Sequence, residues 1–219
     1  MKKINTVIGI LMMLCALLSS EKIYILVIYA AAAVIHEIGH IAAALVLRIR
    51  IKDISFDYSG LRIDVDEDLR SYITEVFLAA AGPISNFLAA TATAIFIKAS
   101  GRELLSTFEA AGNFIETGCP NIDGISAFFI IASCVQAMIN LLPVKTFDGG
   151  RILHCILAQM FDENKSDVIL SITSGVFAFV LWTVSLYLML RISSGLGIYI
   201  FSASIFSMTL INDKVFYKE

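Results

Sequence analysis

The block His36-Glu37-Ile38-Gly39-His40 combines residue types that can bind a metal ion and move a proton. On an α-helix, two residues four apart lie on one face, about 6 Å apart along the axis. Two imidazoles so placed can hold one Zn²⁺, and the glutamate between them lies beside the metal, where it can take a proton from bound water. The block therefore predicts a site at which a metal ion and a base act on water.

The surroundings of this block make it more informative. It lies inside a run from Ile23 to Leu47 that is otherwise almost uncharged. Ionisable side chains cost free energy inside a bilayer, so three of them within five residues call for a functional explanation.

Composition indicates an integral membrane protein. The chain has 219 residues, of which 58% are hydrophobic and 16% charged, whereas soluble domains are about 25% charged. A net charge of −3 without a basic tract gives no reason to expect a nucleic-acid partner. The four cysteines are scattered without paired spacing, so we expect no disulfide framework.

The predicted fold is an all-α polytopic membrane protein in a single domain, residues 1–219. Apolar segments that approach or exceed the roughly 20 residues of a spanning helix predict about six transmembrane helices. The first follows Met1-Lys2-Lys3 as in a signal peptide, but no small-residue cleavage site follows it, so we expect it to be retained. The six segments are 4–20, 23–47, 71–97, 125–144, 168–190 and 192–211.

Lysine and arginine placement predicts the orientation in the membrane. With six spans, only four of the 16 basic residues lie on one side, and the other twelve lie on the side that holds both termini. Both termini are therefore predicted to be cytoplasmic, with the histidine block within the membrane but toward the cytoplasm. The four basic residues of the minority side are Lys22, Lys98, Arg102 and Arg191.

Two connections between spans have patterns of their own. Ile54, Phe56 and Tyr58 alternate with polar residues before Ser59-Gly60, and a second alternating run follows, which predicts a β-hairpin over 51–66. The hairpin either lies on the bilayer surface or offers an edge that pairs with an extended peptide. The segment 99–123 has helical spacing of apolar residues, which predicts a short interfacial helix of unassigned function.

A catalytic zinc site needs a third protein ligand, and Asp148 is the best candidate. Pro143 ends or bends the preceding helix, and Gly149-Gly150 lets the backbone turn sharply beside the carboxylate. The predicted topology places Asp148 at the same depth in the membrane as His40, toward the cytoplasmic side.

Other readings of this region remain open at this point. Asp148 can instead be a solvated loop residue, and His154 is a rival ligand. Glu75 lies near the same side, where we interpret it as a snorkelling or capping carboxylate.

Three blocks resemble the site-2 protease family of intramembrane zinc metalloproteases. Within that family the chain looks most similar to the stage IV sporulation protein FB group, whose members often carry a cytosolic CBS domain that we do not expect here. The blocks, which lie in the second to fourth predicted helices, are H-E-x-x-H at His36–His40, A-G-P-x-x-N at Ala81–Asn86 and N-x-x-P-x-x-x-x-D-G at Asn140–Gly149.

The resemblance implies a role for each matching residue. It implies one Zn²⁺ per chain held by His36, His40 and Asp148, with Glu37 as general base. It also implies that Asn86 and Asn140 lie near the active site, although each asparagine can equally serve as a hydrogen bond between helices.

The resemblance further implies an intramembrane zinc metalloendopeptidase in a bacterial cell membrane. Its substrate would be a single-pass or membrane-tethered protein, with a transcription factor precursor as first choice and a remnant signal peptide as second. A membrane regulatory partner is an additional expectation. The alternatives are a membrane metal transporter, with His36, Glu37 and His40 as a transit site, and a relative that binds membrane peptides without cutting them.

Overall fold

The computed structural model describes residues 23–49, 51–57, 60–65, 71–117 and 121–192, together with residues 202, 203 and 206. Within these residues, helices dominate and two short strands connect the first helix to the second. In chain order the elements are α1 (Ile23–Val46), β1 (Ile51–Asp57), β2 (Gly60–Val65), α2 (Tyr72–Ala99), α3 (Leu104–Thr117), α4 (Ile122–Asn140), α5 (Asp148–Met160) and α6 (Glu163–Ile192).

Four of the described helices are long and apolar enough to cross a membrane, which makes the chain an integral membrane protein. They correspond to the second, third, fourth and fifth predicted segments. The predicted helix 4–20 lies outside the described residues, as does nearly all of 192–211, so the described residues support four of the six predicted spans and the other two stay predictions. The candidate spans are Val27–Val46, Tyr72–Ala99, Ile122–Asn140 and Asn164–Arg191.

Helices α1 and α2 form an antiparallel pair in close contact. His40 contacts the backbone of Leu78. His36 lies one turn before His40 on α1 and contacts Asn86, which lies two turns after Leu78 on α2, so the two helices run in opposite directions. Gly39 faces α2 at a point where a Cβ atom would lie 2.6 Å from the carbonyl oxygen of Ala81. Small residues permit this close approach, as they commonly do between helices in membranes.

A helix forms in the segment 99–123, where apolar spacing predicts one. This helix, α3, packs on α4. Arg102, just before α3, forms a 2.7 Å ion pair with Asp123, in the first turn of α4. Asn121 caps α4 by accepting a hydrogen bond from the Gly124 amide. An apolar cluster joins α1, α3 and α4 through Ile28, Ala32, Phe114, Phe128 and Ala132.

The chain between α4 and α6 differs from the prediction. The predicted segment runs to Val144, but α4 ends at Asn140, three residues before Pro143, because proline lacks the amide hydrogen that a continuing helix needs. The connection 141–147 packs on α6, where the Lys145 amide donates to the Ser174 hydroxyl at 2.9 Å. Asp148 then begins a separate helix, α5, which the sequence analysis does not predict.

Strands β1 and β2 pair antiparallel within the interval 51–66. Ile54 lies opposite Ile63 and Phe56 lies opposite Leu61, with one irregularity in the register near the start of β1. Tyr58, the third residue of the predicted peptide-binding edge, lies outside the described residues.

Candidate metal centre

His36, His40 and Asp148 converge in a buried cluster at the meeting point of α1, α2 and α5. The His36 Nε2 atom lies 3.0 Å from Asp148 Oδ2, and the His40 Nε2 atom lies 3.2 Å from the same oxygen. The two Nε2 atoms are 3.2 Å apart. All three side chains therefore direct one ligand atom to a common point, as the sequence predicts for a site with Asp148 as third ligand.

Local helix geometry supplies two of these ligands. Residues four apart on α1 share a face, so His36 and His40 both point toward α2. Leu78, Gly82 and Asn86 share a face of α2 by the same spacing, and that face receives both imidazoles. The site thus forms where the histidine-bearing face of α1 crosses this face of α2.

The His40 ring is held by the backbone of α2. Its Nδ1–H group donates a 2.8 Å hydrogen bond to the Leu78 carbonyl oxygen. This bond fixes the hydrogen on Nδ1 and leaves the lone pair of Nε2 directed at the cluster. Metal-binding histidines usually make such a hydrogen bond with the ring nitrogen that does not bind the metal.

Gly82 lies against both imidazoles. A Cβ atom at this position would lie 2.6 Å from His36 Nε2 and would also overlap His40 Nε2. Only glycine leaves room for the two rings here, so Gly82, the second residue of the A-G-P-x-x-N block, is a functional residue to which the sequence analysis assigns no role. The signal that could have identified it is its spacing of four residues from both Leu78 and Asn86.

Asp148 reaches the cluster as the first residue of α5. The following glycines permit a tight turn, because a Cβ atom on Gly149 or Gly150 would overlap the carbonyl group of Leu141 or Val144 respectively. Burial by itself raises the pKa of the Asp148 carboxyl group, but its hydrogen bonds and charge interactions with His36 and His40 outweigh this and hold the pKa below its usual value. The site therefore favours the ionised carboxylate, which is the form that binds a cation.

Glu37 and Asn86 lie beside the ligands. Glu37 is half-buried and stands between the two histidines in sequence on α1. Asn86 is fully buried, and its Nδ2 atom lies 3.4 Å from His36 Nδ1. The structure thus brings Asn86 into contact with a candidate ligand.

The remaining candidate residues lie elsewhere or make other contacts. His154, the rival ligand, contacts Asp167 at 3.2 Å. Glu75 lies in the first turn of α2, 3.6 Å from Arg151. Asn140 is the half-buried last residue of α4, and no hydrogen bond joins it to the three ligands in the part of the chain described.

The three side chains fit a metal ion. Two imidazole nitrogens and one carboxylate oxygen are the ligand set of many catalytic metal sites, which keep a fourth position open. Two ligand atoms each about 2.0 Å from a tetrahedral ion lie roughly 3.3 Å apart, and the three distances here are 3.0, 3.2 and 3.2 Å. Little adjustment would be needed to place one ion between them.

Comparison with known proteins agrees with this geometry. The model of peptidase family M50 matches residues 24–184, which include every residue of the cluster. Among solved structures, the chain is similar to the site-2 protease from Methanocaldococcus jannaschii, with a TM-score of 0.60 and 20% sequence identity over 93% of this chain and 88% of that one. No curated protein matches the chain.

The structural likeness concerns the fold, whereas the family match extends over most of the sequence and over the metal-binding cluster itself. A membrane metalloprotease needs membrane-spanning helices and a metal-binding cluster, and this chain has helices long enough to span a membrane and a cluster of three candidate ligands. The chain belongs to peptidase family M50, the site-2 protease family of membrane metalloproteases.

Proposed function

We propose that this chain is an intramembrane zinc metalloendopeptidase that hydrolyses a peptide bond in or next to a transmembrane segment of a membrane-tethered protein. The observation that carries the proposal is the buried convergence of Asp148 with His36 and His40, which lie on a helix long and apolar enough to span a bilayer. Three polar ligands in such a setting are costly unless they serve a site.

Zinc is the metal that this ligand set suits best in a hydrolase. His36, His40 and Asp148 would hold one ion, leaving a fourth position for water or substrate. When bound, the ion would supply Lewis acidity, which lowers the pKa of a water molecule toward neutrality and polarises a carbonyl oxygen.

Glu37 supplies the proton transfers. Its position between the ligand histidines on α1 suits a carboxylate that takes a proton from water as the oxygen attacks the scissile carbonyl carbon. The same carboxyl group then gives the proton to the leaving amine. His40, fixed by Leu78, and Asp148, fixed at the start of α5, keep the reacting groups in place.

The substrate must unwind before it is cut. The carbonyl groups of a transmembrane helix are hydrogen-bonded within the helix, so attack requires an extended stretch. We propose cleavage near a helix end or in a juxtamembrane segment, with β1 as the strand that pairs with the substrate through Ile54 and Phe56, and Tyr58 as a third contact after the strand.

The motifs support one substrate class and one cellular setting. A transcription factor precursor tethered to a bacterial cell membrane suits an enzyme of this kind, with the product released on the cytoplasmic side, where both termini of the chain lie. Similarity of the Asn140–Arg151 stretch to the stage IV sporulation protein FB group supports this choice. A membrane protein that regulates access to the site is part of the same proposal.

The direct test is co-expression with candidate tethered precursors. We expect the native chain to produce a shortened precursor, and mass spectrometry to place the cut in or next to its transmembrane segment. Glu37→Gln should lower the cleavage rate by about 10²–10⁴-fold while the protein still binds zinc. Equal cleavage by the native chain and Glu37→Gln would remove the general base from the mechanism.

The strand-pairing part of the proposal has a separate test. Phe56→Asp places a charge near the end of β1 and should weaken processing of a full precursor several-fold, without altering zinc content. Leu61→Asp, opposite Phe56 on β2, is the matched control. Equal processing by both variants and the native chain would show that the hairpin takes no part in substrate binding.

A further inference from the structure

The Asn86 carboxamide contacts the His36 ring on the side opposite the metal-binding nitrogen. Asn86 is fully buried on α2, and its Nδ2 atom lies 3.4 Å from His36 Nδ1. Its Oδ1 atom is buried and has no hydrogen-bond partner in the described part of the chain. Leaving a buried oxygen without a donor is unfavourable, so helix packing alone does not account for this residue.

The other histidine shows what such a ring needs. His40 donates its Nδ1 hydrogen to the Leu78 carbonyl oxygen, which leaves Nε2 available as a ligand. Ligating histidines usually make this second contact, to a carbonyl or carboxylate oxygen, because it fixes the tautomer and the orientation of the ring. Among the described residues, only Asn86 lies within hydrogen-bonding distance of His36 Nδ1.

We propose that Asn86 is the positioning residue for His36, with its carboxamide oxygen accepting the Nδ1 hydrogen when Nε2 binds metal. In the arrangement seen here, the Nδ2–H group donates to Nδ1 while His36 Nε2–H donates to Asp148. With a metal ion bound at Nε2, the hydrogen of the His36 ring would lie on Nδ1, where it would meet the Asn86 amide as a second donor.

A half-turn of the carboxamide about its Cβ–Cγ bond resolves that conflict. The oxygen and the nitrogen of an asparagine side chain are nearly equal in size, so the half-turn needs almost no additional space. It replaces a contact between two donors with an N–H···O hydrogen bond. This inference rests on the proposed function, since it requires a metal ion at the three ligands.

Zinc affinity of the full chain in mild detergent tests the inference, measured by competition with a chromophoric chelator. Asn86→Leu keeps the size of the side chain but removes the acceptor, and should weaken zinc binding about 10–100-fold. Asn86→Asp keeps an oxygen for the Nδ1 hydrogen and should remain within about threefold of the native affinity, as in carboxylate–histidine–zinc arrangements.

A matched control separates positioning from general packing. Thr107→Val in α3 also removes a fully buried polar group, the hydroxyl that donates to the Glu103 carbonyl oxygen, and should leave zinc affinity unchanged. Native affinity in Asn86→Leu, or equal weakening in Asn86→Leu and Asn86→Asp, would overturn the inference. Failure of the native chain to bind zinc would instead overturn the proposed function.

Nitrogen NMR of the native protein gives a second readout that needs no variant. The chain has three histidines, so ¹⁵N labelling of this residue type gives few signals. With zinc added, we expect the His36 Nδ1 signal of a protonated nitrogen and the Nε2 signal of a metal-bound one. Metal on Nδ1, or an Nδ1 without hydrogen, would contradict the role assigned to Asn86.

Discussion

Buried residues recur every four positions along α1, and the two halves of the helix meet different neighbours. In the first half, Ile28 and Ala32 pack in the apolar cluster formed with α3 and α4. One turn later, His36 and His40 meet the carboxylate of Asp148 instead. The same face of one helix thus serves an apolar core and a metal centre.

The two regions are held together in different ways. The apolar cluster depends on the volume of its side chains, and its rings pack at centroid distances near 6 Å. The metal centre depends on the direction of single contacts, such as the hydrogen bond from His40 to Leu78 and the missing Cβ of Gly82. Changes in the first region should therefore alter stability, while changes in the second should alter metal binding and activity.

Gly82→Ala should produce the largest effect. The added methyl group would overlap both imidazoles and push them from the positions that meet Asp148. We expect zinc affinity to fall by about 100-fold, at the upper end of what misplaced ligands cause, and cleavage to fall with it. Zinc competition and co-expression cleavage provide the two measurements.

Gly112→Ala is the control for this substitution. A Cβ atom at Gly112 in α3 meets nothing within 4 Å, so this variant should bind zinc as the native chain does. If Gly82→Ala also kept the native zinc affinity, the close contact between Gly82 and the imidazoles would not be needed for zinc binding.

Phe114→Ala should have an intermediate effect, confined to stability. The Phe114 side chain is 1% exposed and packs between α3 and α4, so its loss should reduce the free energy of unfolding by about 3 kcal/mol. Zinc affinity of the folded protein should not change. Leu105→Ala, which truncates a side chain that is 74% exposed, should cost less than about 0.5 kcal/mol.

The measurement for this pair is unfolding in a graded mixture of denaturing and mild detergents, followed by zinc competition on the folded fraction. A loss of zinc affinity in Phe114→Ala comparable to that in Gly82→Ala would break the distinction between the two regions.

Arg151→Gln should have the smallest effect. Arg151 lies on α5 near Asp148, but its 3.6 Å ion pair with Glu75 is partly open to solvent. Such pairs contribute about 0–1 kcal/mol, so unfolding should shift little and zinc affinity should stay within about twofold. A tenfold loss of zinc affinity would show that the pair helps to hold Asp148 in place.

Local spacing accounts for the parts that the sequence predicts. The i, i+4 relation puts His36 and His40 on one face, and the proline and glycines around Asp148 indicate a turn that returns a carboxylate to the same level. The four described spans also follow from hydrophobic length, because a bilayer requires such runs.

Other features depend on contacts between distant parts of the chain. The role of Gly82 arises only when α2 crosses α1 at this position, and the Leu78 contact uses a backbone oxygen that no side-chain pattern reveals. Helix α5 is too short to span and mixes polar with apolar residues, so a search for long apolar segments does not find it. Its start at Asp148 is set by the turn at 141–147, which packs on α6.

Metal content tests the central claim most directly. Native protein extracted gently should contain one zinc ion per chain, Asp148→Asn should contain far less, and His154→Asn should match the native value. Metal-free native protein, or full zinc content in Asp148→Asn, would contradict a site formed by His36, His40 and Asp148.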